Sequence, residues 1–579
     1  MTRPPLSTHS IRDLALIADG ERGAVLAPDG SISWLCAPRW ESPAVFAELL
    51  GGAGTFSVRP ASPSIWGGSY EPGSLIFHSR WIGRTERVEV LDALALPSYP
   101  DTLTLLRRIE ATDGDVVVEV ELDVSGDYGR AKRSRSVRRD DAGVWTGTNA
   151  DGLRWRFQGA AEGEADTSGV IRMRLALKSG EQRDLVLELG TTLPDRPLRA
   201  EVAWPATEQS WRERVPSMSA SIAPRDAQQA YAVMCGFTSS GGGMVAAATT
   251  SLPENIGGSR DYDYRYTWLR DQCFAGQADA AAGGTSLLKP ALDFVTARVL
   301  EDGPGLKPVY TSYGGSMPPE VDLTLPGYPG GRTVVGNRAH RQFQLDVFGD
   351  ALLLFAAGER AGLLHSDGRR AANLAMQAIG ERWDTPDAGI WEMEPRWWTQ
   401  SRLLCVAGLR SMARQQGPAE AARYLRLADS LAAEATSRAL HADGYWQQHP
   451  DTDGTDAALL MPAVRGAFAP DDPRNLATLQ RVLDDLTADG YAYRFRAHGR
   501  PLGEEEGAFL LCGFMIALAH HAVGDRVEAF RWFERNRAAA GSPGLFAEEF
   551  DVQQRQLRGN LPQAFVHALM LETSLRLAG

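Results

Sequence analysis

The spacing of apolar residues changes once along this 579-residue chain, and that change limits what the chain can fold into. Up to about residue 200 the spacing is two. Val116, Val118, Val120, Leu122 and Val124 alternate with polar positions such as Glu119, Glu121 and Asp123. Ile171, Met173, Leu175 and Leu177 do the same, with Arg172 and Arg174 on the other face. Such alternation predicts strands with one buried and one wet side. Asp29-Gly30, Asp113-Gly114 and Asp151-Gly152 tolerate the positive φ of tight hairpin turns. Short antiparallel strands joined this way predict an N-terminal antiparallel β-sandwich over residues 1–200.

Beyond about residue 225 the spacing becomes helical. Segments 346–364, 367–383, 399–417, 418–440, 475–490, 506–524, 525–541 and 560–579 carry apolar residues at i, i+3 and i+4. Shorter candidates lie near 226–238, 271–283, 286–301 and 456–465, which makes about a dozen helices. Gly417-Pro418 and Gly524-Asp525 separate neighbours, and Pro562 reads as a first-turn proline. Short connections imply antiparallel neighbours, so six helical hairpins can close into a ring over residues 226–579. The run from Phe509 to Leu518 is apolar on more than one face, as the inner layer of a double-layered barrel requires. Residues 201–225 then form a linker, with one short helix over Thr207–Arg214 ended by Pro216. The class is α+β, in two domains.

Composition narrows the partners. The chain is 44% hydrophobic and 23% charged, and its net charge of -13 is spread along its length, which argues against nucleic acid and anionic membranes. No window reaches 18 consecutive apolar residues, and Met1–Leu6 is not expected to open a signal peptide, since no apolar stretch follows a basic start. Cys36, Cys235, Cys273, Cys405 and Cys512 show no CxxC, and read as buried thiols of a reducing, cytoplasmic protein. No ligand spacing calls for a metal, and nothing calls for a cofactor. Fifteen Trp residues suit either large cores or sugar-stacking platforms. Oligomeric state is left open.

Three segments carry chemistry. Glu392, beside Trp391, and Glu548, in Ala547-Glu548-Glu549-Phe550, are acids among apolar or aromatic neighbours. Two facing carboxyls, one protonated and one ionised, are what glycosidic hydrolysis needs. An arbitrary Glu is a surface residue, and the residues alone do not choose between Glu548 and Glu549. The run Arg260–Asp271 packs four aromatics, three Arg and three Asp into twelve residues, a composition suited to gripping a sugar. Within it, Arg270-Asp271 is either a structural ion pair or a clamp on adjacent hydroxyls. The Gly- and Pro-rich stretch 302–345, with Tyr310, Tyr313, Tyr328 and Arg332, is expected to rim a pocket. Glu504–Glu506 reads as a solvated helix start, and His520, His521 and His567 as packing or surface residues.

With these motifs the chain resembles glycoside hydrolase family 15, the family of glucoamylases, glucodextranases and trehalases. The resemblance starts at Ile17-Ala18-Asp19-Gly20 and Pro28-Asp29-Gly30-Ser31-Ile32-Ser33-Trp34. It continues through Ser251-Leu252-Pro253-Glu254 and Tyr264–Asp271, and ends at Glu506-Gly507-Ala508-Phe509-Leu510 and Gly559–Phe565. It implies a β-sandwich (supersandwich) joined by a linker to an (α/α)6 barrel. It also implies Glu392 as general acid, Glu548 as general base, and a terminal-glucose site at Tyr264, Trp268, Arg270 and Asp271. Trp391 would be the aromatic wall and Arg494 a further sugar-binding residue. The activity so implied is inverting, exo-acting hydrolysis of α-glucosides, small oligosaccharides or disaccharides, with release of β-glucose. The carboxyls would then stand roughly 6.5–9.5 Å apart. Trehalase, disaccharide phosphorylase and a non-catalytic sugar binder are the alternatives. Three departures lie near Glu392: Met393 replaces an acid of fungal members, Arg402 a Lys of bacterial ones, and Trp397-Trp398 a more polar pair. They bear on leaving-group specificity.

Overall fold

A computed structural model describes residues 9–130, 136–149, 151–255, 257, 260–496 and 500–579; the segment read for a signal peptide lies outside them. The first half is two eight-stranded antiparallel sheets. Val116–Asp123 pairs with Ile171–Leu177, so that Val118 faces Leu175 and Val120 faces Met173 on the buried side. Glu119 and Glu121 meet Arg174 and Arg172 on the wet side, opposite charges across the ladder. Gly30, Gly114 and Gly152 take positive φ at their turns. The second sheet is centred on Thr102–Asp113, between Arg87–Leu94 and Gln182–Gly190. Its Arg107 is fully buried, paired with Asp92 at 2.6 Å, and donates across the sandwich to the carbonyls of Phe56 and Gly30. Pairing on every side is what makes such a burial tolerable.

The linker helix α1, Ala200–Arg214, begins seven residues before the predicted Thr207 and contains Pro205. Among the described residues twelve helices follow. They are α2 (Pro224–Phe237), α3 (Leu269–Ala281), α4 (Leu288–Asp302), α5 (Asp346–Arg360), α6 (Ser366–Arg382) and α7 (Thr399–Ala413). Next come α8 (Pro418–Ala439), α9 (Leu460–Val464), α10 (Pro473–Leu486), α11 (Leu510–Ala522), α12 (Arg526–Arg537) and α13 (Ala564–Arg576). The odd-numbered helices α3, α5, α7, α9, α11 and α13 pack in that order, and α13 returns to α3, which closes an inner ring. Even-numbered helices lie outside them. Inner helices are buried almost all round, as in α5 and α11, whereas outer ones such as α8 and α10 bury one stripe. This is the (α/α)6 barrel.

Several local expectations need correction. Helix α11 starts at Leu510, not 506, because the preceding residues Ala508–Phe509 form a short strand against Glu549–Asp551. Pro562 precedes α13 rather than sitting in its first turn. Most Trp residues fill cores, among them Trp34, Trp40, Trp204, Trp211, Trp268 and Trp446. The stretch 302–345 is partly ordered into strand pairs: Val309–Tyr310 against Thr267–Trp268, and Val321–Asp322 against Val334–Val335. Arg332, Gln342 and Phe343 of this stretch do rim the large cavity, but its tyrosines do not. Tyr310 bonds Asp302, Tyr313 bonds Glu21 at 2.7 Å, and Tyr328 donates to the His9 carbonyl.

Candidate active site

The run Arg260–Asp271 presents alternate residues to two sides. Asp263 and Arg265 turn toward the sandwich, where Arg265 pairs with Asp263 at 2.7 Å and donates to the Trp40 and Ser42 carbonyls. That half of the run fastens the two domains and does not grip a sugar. Tyr262 and Tyr264 turn the other way, with rings stacked 6.0 Å apart, into a cavity of about 970 Å³. Its walls are the segments that lead into the inner helices α3, α5, α7, α11 and α13. The volume suits a disaccharide-sized ligand.

Glu392 projects into this cavity from the loop Asp387–Arg396, whose ends pair as an antiparallel bridge. Arg402 and Ser401 on α7 bind the Asp387 carboxyl, which also accepts the Gly389 N–H at 2.8 Å. The departure at Arg402 therefore belongs to the base of the loop and does not line the cavity. Glu392 has φ +58, a left-handed conformation that costs a side-chain-bearing residue about 1–3 kcal/mol and clusters at functional sites. Gln342 holds its carbonyl at 3.2 Å, and the Trp268 indole donates to its carboxyl at 2.6 Å. Arg270 stands 3.9 Å from the same oxygen. Burial pushes the Glu392 carboxyl up, while Arg270 and the Trp268 hydrogen bond pull it down; the burial prevails.

Glu548 enters from the opposite wall, just before the strand Glu549–Asp551, and accepts the Tyr264 hydroxyl at 3.1 Å. The Tyr264 and Trp268 rings meet edge to face at 5.3 Å, so each carboxyl rests on one member of an aromatic pair. Glu549 points the other way. It accepts the Gly507 N–H at 2.7 Å and is absent from the cavity wall. Burial and the carboxyl of Glu254 push Glu548 up, and burial with Glu254 and Glu506 does the same to Glu549.

Six of the eight site residues read from the sequence line the cavity: Glu392, Glu548, Tyr264, Arg270, Trp391 and Arg494. Trp268 and Asp271 stand one layer behind. Arg270 donates to Asp271 at 3.1 Å and to the Ile390 carbonyl at 2.6 Å, so Asp271 orients the guanidinium from beneath. The Trp391 indole is held by Asp456 at 2.9 Å, and its ring packs on Phe509. Arg494 lies under the Phe509 ring and binds Glu506. Glu506 is thus buried between Arg494 and Arg260, not a solvated helix start. His567 is buried too, and takes the Phe546 N–H. The sequence reading assigned no role to Glu254, Tyr262, Asp456 or Phe509. Glu254 was visible only as part of a motif, because its partners other than Arg260, namely Arg494, Glu506 and Glu548, lie about 240–290 residues away. Among the described residues no cluster of three or more His, Cys, Asp or Glu could hold a metal, and no helix is long and apolar enough to cross a membrane.

Comparison with known proteins follows the same division. The family model described as "Glycosyl hydrolases family 15" matches residues 227–575, and "Trehalase-like, N-terminal" matches 6–205. The chain is 30% identical to a trehalase of Mycobacterium tuberculosis, over 97% of this chain and 88% of that one. It is 26% identical to Trehalase 1 of Sulfolobus acidocaldarius, over 97% and 98% respectively. Among solved structures, a bacterial glucoamylase complexed with acarbose superposes with a TM-score of 0.72 at 13% identity, covering 100% of this chain and 96% of that one. That likeness concerns the fold.

Proposed function

The chain belongs to glycosyl hydrolase family 15, and on that premise we propose that it hydrolyses an α-glucosidic bond with inversion, with trehalose as its first substrate. The observation that carries the reaction is the pair of buried carboxyls on opposite walls of one cavity, each held by its own aromatic donor. Glu392, kept protonated by burial, gives its proton to the glycosidic oxygen. Trp268 and Arg270 then stabilise the carboxylate left behind. Glu548 removes a proton from the water that attacks the anomeric carbon from the other face. The preference for trehalose over malto- or isomalto-oligosaccharides rests on the relatives named as trehalases, each of which aligns over 97% of this chain. Residues 226–579 hold the site, with 1–200 as the sandwich and 201–225 as the linker. A cytoplasmic setting goes with the proposal and is supported by five buried free thiols.

Stereochemistry tests the reaction. Inversion of α,α-trehalose releases one β-glucose from the attacked ring and one α-glucose from the departing ring. Proton NMR within the first minutes should therefore show equal anomers, drifting later to the mutarotated mixture. Pure α-glucose at the outset would mean retention and would overturn the mechanism. Running trehalose, maltose and isomaltose side by side, with and without phosphate, ranks the substrates and separates hydrolysis from phosphorolysis.

Arg270 supplies a second test. Its guanidinium meets Asp271, the Ile390 carbonyl and the surroundings of Glu392 at once, a geometry that the single ammonium of Lys does not reproduce. Arg270→Lys, and Asp271→Asn beneath it, are each expected to lower kcat/KM by at least about 2 kcal/mol, roughly thirtyfold. A lower melting temperature with unaltered kinetics would make the pair a scaffold feature.

A further inference from the structure

Glu254 is a second buried carboxyl at the base, supplied by the segment that follows Ser251-Leu252-Pro253. Its Oε2 and the Oε2 of Glu548 are both buried without a hydrogen-bond donor. The two side chains lie together over Gly559, where a placed Cβ would stand 3.0 Å from Glu548 Oε2 and 3.7 Å from Glu254 Cγ, and their carboxyls are hydrogen-bond neighbours. Gly559 also donates its N–H to the Pro253 carbonyl at 3.0 Å, which fixes the Glu254 segment against it. Two neighbouring carboxyls that each keep a donorless buried oxygen are an expensive arrangement unless a proton is shared between them.

Charge around the pair agrees. The groups that face it are Arg260, Arg494, Glu506, Glu549, Tyr262 and Tyr264. Tyr264 donates to Glu548 and both tyrosines stay neutral, pushed up by burial. Glu506 lies between the two guanidiniums, and burial with its acidic neighbours pushes Glu549 up. Two cations facing four carboxyls favour a proton within the group, and the neighbouring Glu254 and Glu548 are placed to share one.

Resting on the assignment of Glu548 as base, we propose that Glu254 is a positioning residue that shares this proton with Glu548 and takes it over when Glu548 works. Arg260 and Arg494 approach Glu254 Oε2 to 3.6 and 3.8 Å, so before substrate binds the proton rests on Glu548. For turnover it moves along the hydrogen bond to Glu254, which frees Glu548 to take the proton of the attacking water. The water O–H bond breaks as its oxygen bonds the anomeric carbon, and Glu392 protonates the departing oxygen. Exchange with solvent afterwards removes the extra proton from the pair and restores the one on Glu392.

The infrared carboxylic-acid stretch reads this pair. Glu254→Gln removes the neighbouring charge and leaves an N–H donor, so Glu548 should ionise and one protonated carboxyl should be lost from the spectrum at neutral pH. Unchanged carboxylic-acid intensity in a folded Glu254→Gln enzyme overturns the proposal. If that variant does not fold, the infrared carboxylic-acid stretch compares the unaltered enzyme with Glu548→Gln at neutral pH. One protonated carboxyl should be lost from the spectrum, because the remaining Glu254 ionises beside its two guanidiniums. Unchanged intensity overturns the proposal by this route. Near-normal turnover of Glu548→Gln would strike the assignment of the base instead, whatever the infrared spectrum shows.

Discussion

Glu392→Gln is expected to lower kcat on trehalose or maltose on the order of 10³-fold, and to leave α-glucosyl fluoride far less affected. The carboxamide keeps the shape of the acid, and its oxygen still accepts the Trp268 N–H and faces Arg270. The backbone at φ +58 is held by the Gln342 and Gly389 contacts, which do not involve the replaced group. What the variant lacks is a proton to give. A sugar alkoxide leaves slowly without one, whereas fluoride leaves without assistance. The pH profile should change in a matching way. Burial raises the Glu392 carboxyl, and a general acid works only while protonated, so activity in the unaltered enzyme is lost as pH rises through that raised value. The amide of the variant does not titrate, so that alkaline limb should vanish. Equal losses on trehalose and on the fluoride would show that Glu392 does something other than protonate the leaving group.

How much of this was legible beforehand depended on distance along the chain. The alternation at Val116–Val124 and Ile171–Leu177 predicted strands that do pair with each other, because a strand's two faces are written in consecutive residues. Closure of the inner ring also followed from local spacing, since helices that are apolar all round have no stable place outside it. Helix ends were less readable. The apolar pattern of α11 cannot reveal that Ala508–Phe509 pairs with Glu549–Asp551, about forty residues away. The same limit governed the site. Arg265 and Arg270 sit in one run and look alike, but they face different domains. Glu506 looked like surface because its neighbours Glu504 and Glu505 are acidic, whereas its burial depends on Arg260 and Arg494. Family resemblance pointed to Glu392 and Glu548; the contacts that hold their surroundings, such as Trp268 with Glu392 and Arg494 with Glu254, join segments far apart in the sequence.

The adjacent acids Glu548 and Glu549 are the sharpest case, and their variants should differ by the full size of the base's contribution. Glu548→Gln is expected to lose on the order of 10³-fold in kcat on trehalose and on α-glucosyl fluoride alike, since the water needs a base whichever group departs. Tyr264 would still donate to the amide oxygen, so the loss reports chemistry and not a rearranged wall. Glu549→Gln should stay within about tenfold of the unaltered enzyme, with little change in melting temperature. Burial and its acidic neighbours push the Glu549 carboxyl up, toward the neutral form that an amide resembles. The amide oxygen can still accept the Gly507 N–H. A β-strand turns successive side chains to opposite faces, so only one of two neighbouring acids at its start can reach the water. If Glu549→Gln instead abolished turnover on both substrates while Glu548→Gln remained active, the base would lie on the other face. The proton pair built on Glu254 and Glu548 would then have no part in the reaction.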